Sequence, residues 1–263
     1  MPKLKSSAQN HSILFSTIKR LLLPFALVSV IYLVSLGASI HIVNGDTAIN
    51  YLIEPYIYGS GPIDFFLPLI VSANFSWNLY FLRKDHFLTY VHPRIEKNKY
   101  IGVQILAALL LSFLMVAVVN FLAVGFSTLI ASPAPYSVNP NGLNGYLFSH
   151  LQMNHPLLFG FFWSIYKGLM ASLICLLGQV WGLYSHNLYL ILLGPFVTVF
   201  LENLLFALLN IPEYSFPTTY ILNRLETKAM TIPNLLLAIV IFCFIIFLTH
   251  YLLRRKHESA ISI

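Results

Sequence analysis

Charge is what this sequence has least of. Only 9% of its 263 residues are Asp, Glu, Lys or Arg, against 58% hydrophobic, whereas soluble domains carry roughly a quarter charged residues. A chain composed this way cannot cover a water-facing surface, which excludes a soluble α/β protein. Cysteine is almost as scarce. Cys175 and Cys243 stand inside apolar runs with no C-x-x-C or C…H spacing, so neither a disulfide framework nor a zinc site is indicated. Also missing are a G-x-x-x-x-G-K-[ST] phosphate loop, H-E-x-x-H, a G-x-S-x-G elbow and the paired acids of an intramembrane protease. No catalytic residue, no metal site and no bound cofactor is therefore expected, and the chain does not hydrolyse ATP alone. The nine His residues sit mostly at helix ends or in loops, not facing one another at mid-depth as a haem or di-metal bundle requires. The net charge of +6 comes without a basic patch interleaved with aromatics, so nucleic acid is not an expected partner.

What the sequence has is long apolar runs, with a mean hydropathy of +0.77. About twenty apolar residues at 1.5 Å each cross the roughly 30 Å of hydrocarbon in a bilayer. Six stretches meet that length: residues 21–43, 63–82, 100–130, 157–184, 188–209 and 234–253, each bounded by polar residues, Pro or Gly. The expected fold class is an all-α integral membrane protein, a single transmembrane domain over residues 1–263. The second stretch is the weakest, interrupted by Ser72, Asn74, Ser76 and Asn78. The third is about 46 Å long as a helix and must tilt or project.

Lys and Arg set the orientation. Lys3, Lys5, Lys19, Arg20, Arg83, Lys84, Arg94, Lys97, Lys99, Arg254, Arg255 and Lys256 all fall on one side of a six-span topology. That side is cytoplasmic by the positive-inside rule, and both termini with it. The opposite side holds Arg224 and Lys228 against Asp46, Glu54, Asp64, Glu213 and Glu226. Ahead of the first span, Ile13, Leu14, Ile18, Leu21 and Leu22 share one helical face while Ser12, Ser16, Lys19 and Arg20 face away. This pattern predicts an N-terminal amphipathic helix lying on the inner leaflet.

Two ionisable residues lie within spans. Lys167 is ten residues into the fourth and Glu202 about eight residues from the far end of the fifth. A charge at such depth must face a partner or water. The turn Ser185 to Asn187 makes these spans antiparallel neighbours, so a Lys167–Glu202 pair and a place on a substrate pathway are both open. Asn74 and Asn78, four apart on one face, call for interhelical hydrogen bonds or a wet cavity. Gly194-Pro195 frees a backbone carbonyl and predicts a kink or hinge in the fifth span. The segment from Leu82 to Lys99 sets Phe87, Leu88, Tyr90 and Val91 among charges, which suits interfacial embedding or docking to a partner.

The order of these features resembles the membrane (permease) subunits of bacterial ABC transporters of the type-2 export class. The resemblance rests on the basic N-terminal segment and a polar second span ending in WNLYFLRKDHFLTYVHPRIEKNKYIGVQIL. It continues in a tight hairpin carrying LLGPF and a last span ending in RRK. It covers nearly the whole chain and is one of architecture, since that family has no invariant catalytic motif. It implies half of a pore in the bacterial cytoplasmic membrane, pairing with a second copy or a sister permease and with two ABC ATPase subunits that hold ATP and Mg. It also implies that His86, Phe87, Leu88, Tyr90, Val91 and His92 form the ATPase-coupling element, and residues 211–233 an extracellular gate region. The exported substrate would be a drug, a peptide or a lipid-like molecule. Two readings of other classes stand beside it: an ion-coupled secondary transporter using Lys167 and Glu202, and a non-transporting assembly or immunity protein.

Overall fold

The computed structural model describes residues 2–44, 63–84, 97–130, 148, 151, 155–221 and 231–261, with the side chains of the longer helices described within 13–34, 98–125 and as far as 255. Among these residues every regular element is helical. They are α1 (Pro2–Asn44), α2 (Leu67–Phe75), α3 (Trp77–Lys84), α4 (Lys97–Ile130), α5 (Pro156–Tyr184), α6 (Leu188–Leu208), α7 (Phe216–Tyr220) and α8 (Ile232–Ile261), with a 3₁₀ turn at Pro212–Tyr214. Five segments, within α1, α4, α5, α6 and α8, are long and apolar enough to cross a bilayer. The chain thus has the character of a multi-pass membrane protein.

Helix α5 is the hub. It packs against α4 most heavily and also against α2, α3, α6 and α8. Half of the most apolar window of α5 and of α4 is buried, against 17% for α1 and 22% for α8; the latter two turn broad apolar faces outward. Close approach to α5 depends on its glycines. A Cβ on Gly168 would lie 3.0 Å from the carbonyl oxygen of Phe113, and one on Gly178 only 2.0 Å from Oγ of Ser76. Small residues let backbones meet where no hydrophobic force drives helices together. Helices α5 and α8 run parallel, for Tyr184 meets His250 at one end (3.3 Å between Oη and Nδ1).

Three sequence expectations are modified. The N-terminal amphipathic segment is not a separate helix: α1 runs 43 residues without a break, through Pro24. Ile13, Thr17 and Leu21 are buried on it while Leu22 is exposed. Pro24, the breaker that stands between these positions and most of the span, is accommodated within the helix. The second stretch, expected at 63–82, runs to residue 84 and is not one uniform helix. A turn at 63–65 leads through Phe66 into α2, and Ser76 separates α2 from α3. Pro68 lacks the N–H that would bond the Asp64 carbonyl. At the second break, Gln179 of α5 donates its Nε2 to the Phe75 carbonyl at 2.8 Å, a side chain entering the helical ladder. Third, the start of the 211–233 region, placed on the outer side, folds back into the bundle: residues 211–214 keep exposed surface, whereas 215–221 are buried. Helix α6 ends in a Schellman turn at Asn210 (φ 58°), with Ile211 N bonding Phe206 O at 3.0 Å and Asn210 N bonding Ala207 O at 3.1 Å. The chain then turns back, and Phe216 through Ile221 are buried. Phe216–Tyr220 form the short helix α7, and residues 222–230 lie outside the described residues.

Candidate functional site

Lys167 projects from the middle of α5 into full burial. Its ammonium pairs with Asp64, also fully buried, at the head of the broken second stretch. The same Nζ donates to Oδ1 of Asn120 on α4 at 3.2 Å. Asn120 in turn donates Nδ2 to the Tyr32 hydroxyl of α1 at 3.2 Å and to the Val116 carbonyl at 2.8 Å. Tyr32 and Asn120 are 2% and 0% exposed. A continuous polar chain thus crosses the core from α1 through α4 and α5 to residue 64. Its charges cancel, which is how a low-dielectric interior tolerates them.

Glu202 is not in this chain. The expected alternative of a Lys167–Glu202 pair is replaced: Lys167 takes Asp64, and Glu202 serves the fold-back after α6. Its Oε1 accepts the Phe216 N–H at 2.9 Å and its Oε2 the Ser215 hydroxyl at 3.2 Å. A carboxylate facing the first N–H of α7 satisfies a donor that the short helix leaves open. Ser215 also donates to Oδ1 of Asn203 at 3.0 Å, and Phe216 stacks on Phe242 of α8 at 3.7 Å between ring centroids. Charge and ring together hold α7 inside the bundle.

The polar face of α2 and α3 turns inward. Asn78 donates to Gln104 of α4 at 3.0 Å, and Asn74 donates to Sδ of Met115 at 3.3 Å. Ser72 reaches the Leu192 carbonyl of α6 at 2.6 Å. These amides join helices. At the end of α3, the Arg83 guanidinium donates to the carbonyls of Leu183 and Ser185. It closes the last turn of α5, where open carbonyls and the helix dipole favour a cation. Gly194 and Pro195 lie buried in α6, which is helical on both sides of them. Trp181 packs over Gly194, where a Cβ would lie 3.1 Å from its ring. His86, Phe87, Leu88, Tyr90, Val91 and His92 lie outside the described residues.

Asp64, Asn120 and Tyr32 were not singled out as site residues from sequence. Asp64 counted there only toward the charge of the outer side. Asn120 carried a legible signal, one amide amid an apolar run. Among the described residues no group of His, Cys, Asp and Glu is arranged to hold a metal ion. Comparison with family models, curated proteins and solved structures finds no match to this chain.

Proposed function

We propose that the chain is the membrane-spanning permease subunit of an ATP-driven exporter, inserted in a bacterial plasma membrane with both termini inside. In this reading residues 63–84 are a sixth, broken crossing, for the turn, α2 and α3 follow one another over about 33 Å of helical rise. A separate ABC ATPase docks on His86 to His92 and carries the ATP and Mg. A second copy or a sister permease completes the pore.

The observation that carries this reading is the Arg83 clamp. Residue 85 follows in sequence directly after α3, whose Arg83 guanidinium grips the α5–α6 turn. A push on that segment is therefore delivered to α5, the hub, and along it to Lys167 and its partners. Phe87, Tyr90 and Val91 supply the apolar anchors that dominate interface energetics. Replacing Phe87 and Tyr90 together with Ala is expected to leave insertion intact while abolishing co-purification of a partner ABC ATPase, and ATP-dependent export with it. Normal recovery and normal export in that double variant would overturn the coupling assignment.

A second reading, an ion-coupled transporter, is favoured by the buried Asp64–Lys167 pair, because intramembrane ion pairs mark ion pathways in such proteins. Transport in inverted vesicles separates the two. Export that needs ATP and survives a protonophore supports the first reading, and the converse supports the second.

A further inference from the structure

Helices α1 and α4 run parallel and in step. Ile13 of α1 joins Leu79 and Leu82 of α3 and Tyr100 of α4 in one buried cluster, and farther along Tyr32 meets Asn120. The interval from Ile13 to Tyr32 and that from Tyr100 to Asn120 are each about 30 Å of helical rise. Arg83 and Lys84 directly follow Leu82, and Lys99 directly precedes Tyr100. Ile13 therefore stands level with the cations that close α3 and open α4. Lys19 and Arg20 lie about 10 Å farther along α1 toward Tyr32. Both are exposed, inside the stretch Ile13–Val34 that is long and apolar enough to cross a bilayer. On the same outward side Phe15, Leu22, Leu23 and Leu27 are each more than half exposed. Two cations thus interrupt a face that otherwise suits hydrocarbon.

A charge at that depth needs an anion, or a way for its head to reach back to the surface. Helical side chains lean toward the N-terminus, which for α1 is the end of Ile13. Arg20 does so, for its charge is within electrostatic reach of Tyr100, which stands level with Ile13. No protein anion answers the two cations. Among the described side chains the acids are Asp64, Glu202 and Glu213, and Lys19 and Arg20 pair with none of them. Asp64 is held beside Lys167 at the level of Tyr32, and Glu202 and Glu213 belong to the far end of α6 and the turn beyond it. A second copy inserted the same way would present those acids at the wrong depth. The anion available at the end of a membrane span is lipid phosphate, and an anionic surface attracts Lys and Arg. The exposed leucines beside the two cations then meet the acyl chains of that lipid.

We propose that Lys19 and Arg20 hold the phosphate of an anionic phospholipid seated against the outward face of α1, its chains along Leu22, Leu23 and Leu27. The site requires only that α1 cross a bilayer, so it stands or falls apart from the export reading. The test uses the full chain, purified in neutral detergent and stripped of lipid. It is titrated by native mass spectrometry with dioleoyl phosphatidylglycerol and with dioleoyl phosphatidylcholine. The anionic lipid is expected to bind about 5- to 30-fold tighter, the ratio that one or two such cations provide. Lys19→Gln with Arg20→Gln should remove that preference, and Lys19→Arg with Arg20→Lys should keep it. Lys84→Gln with Arg255→Gln, which removes two exposed cations elsewhere, should keep it too. Equal binding of the two lipids to the wild-type chain would overturn the proposal. So would a preference that survives Lys19→Gln with Arg20→Gln, or one lost equally in Lys84→Gln with Arg255→Gln. A change in the oligomeric state of the lipid-free protein in Lys19→Gln with Arg20→Gln would also sink it, by making this face a protein interface.

Discussion

Lys167 and Asp64 each have little to gain from water, because both are fully buried. Removing one partner strands the other in low dielectric, a loss of about 3–5 kcal/mol. Lys167→Ala or Asp64→Ala alone is expected to cut the yield of folded protein sharply, read by fluorescence-detected size exclusion. The double variant Asp64→Ala with Lys167→Ala should regain much of it, since a neutral pair leaves no stranded charge. Glu202→Ala should not respond to any change at Lys167, because its carboxylate bonds Ser215 and Phe216. Additive losses for the Asp64 and Lys167 variants would mean that the pair contributes nothing. Which side chain meets Lys167 is not readable from spacing: Glu202 is on the next helix in sequence, whereas Asp64 stands 103 residues away and is brought over by packing.

Among the helices, the break between α2 and α3 is the feature with the sharpest consequence. It is seated in the groove that Gly178 leaves open, and Gln179 occupies the Phe75 carbonyl. A methyl at Gly178 would collide with Ser76, so Gly178→Ala is expected to loosen α2 and α3 from α5. The cost is on the order of 1–3 kcal/mol, as for other overpacked sites. Adding Ser76→Gly removes that side-chain clash and should restore much of the thermal stability. If Gly178→Ala alone unfolds at the wild-type temperature, the close approach does not matter. The sequence flagged this stretch as the weakest span through its Ser and Asn residues. It left open whether they meet other helices or water, because a polar face says nothing of what is opposite.

For the molecule as a whole, the proposed six-span topology would place 12 of the 15 Lys and Arg residues on one side. Single cysteines at Ser137 and Pro212, in a chain with Cys175 and Cys243 replaced by Ala, are expected to react with an impermeant maleimide in intact cells. One at Lys97 should react only after permeabilisation, and labelling of Lys97 from outside would invert the orientation. Thr218 is unsuited to this experiment despite lying between the last two spans. It is 5% exposed, since the fold-back after α6 carries it into the bundle.

Composition and hydropathy alone settled that this chain is helical and apolar enough for a bilayer, because hydrocarbon leaves backbone groups no partners outside their own segment. Five long helices stand where the apolar runs predicted them. Periodicity and run length are local quantities, and a helix of such length satisfies its own backbone whatever surrounds it. The pairing of Lys167 with Asp64 and Asn120, the burial of α7 under the Glu202 carboxylate and the grip of Arg83 on the end of α5 are of another kind. Each joins residues distant in sequence or a loop to a helix it was expected to leave. Their geometry depends on how closely helices approach, which glycines such as Gly168 and Gly178 permit but do not specify, so those contacts belonged to the packed bundle.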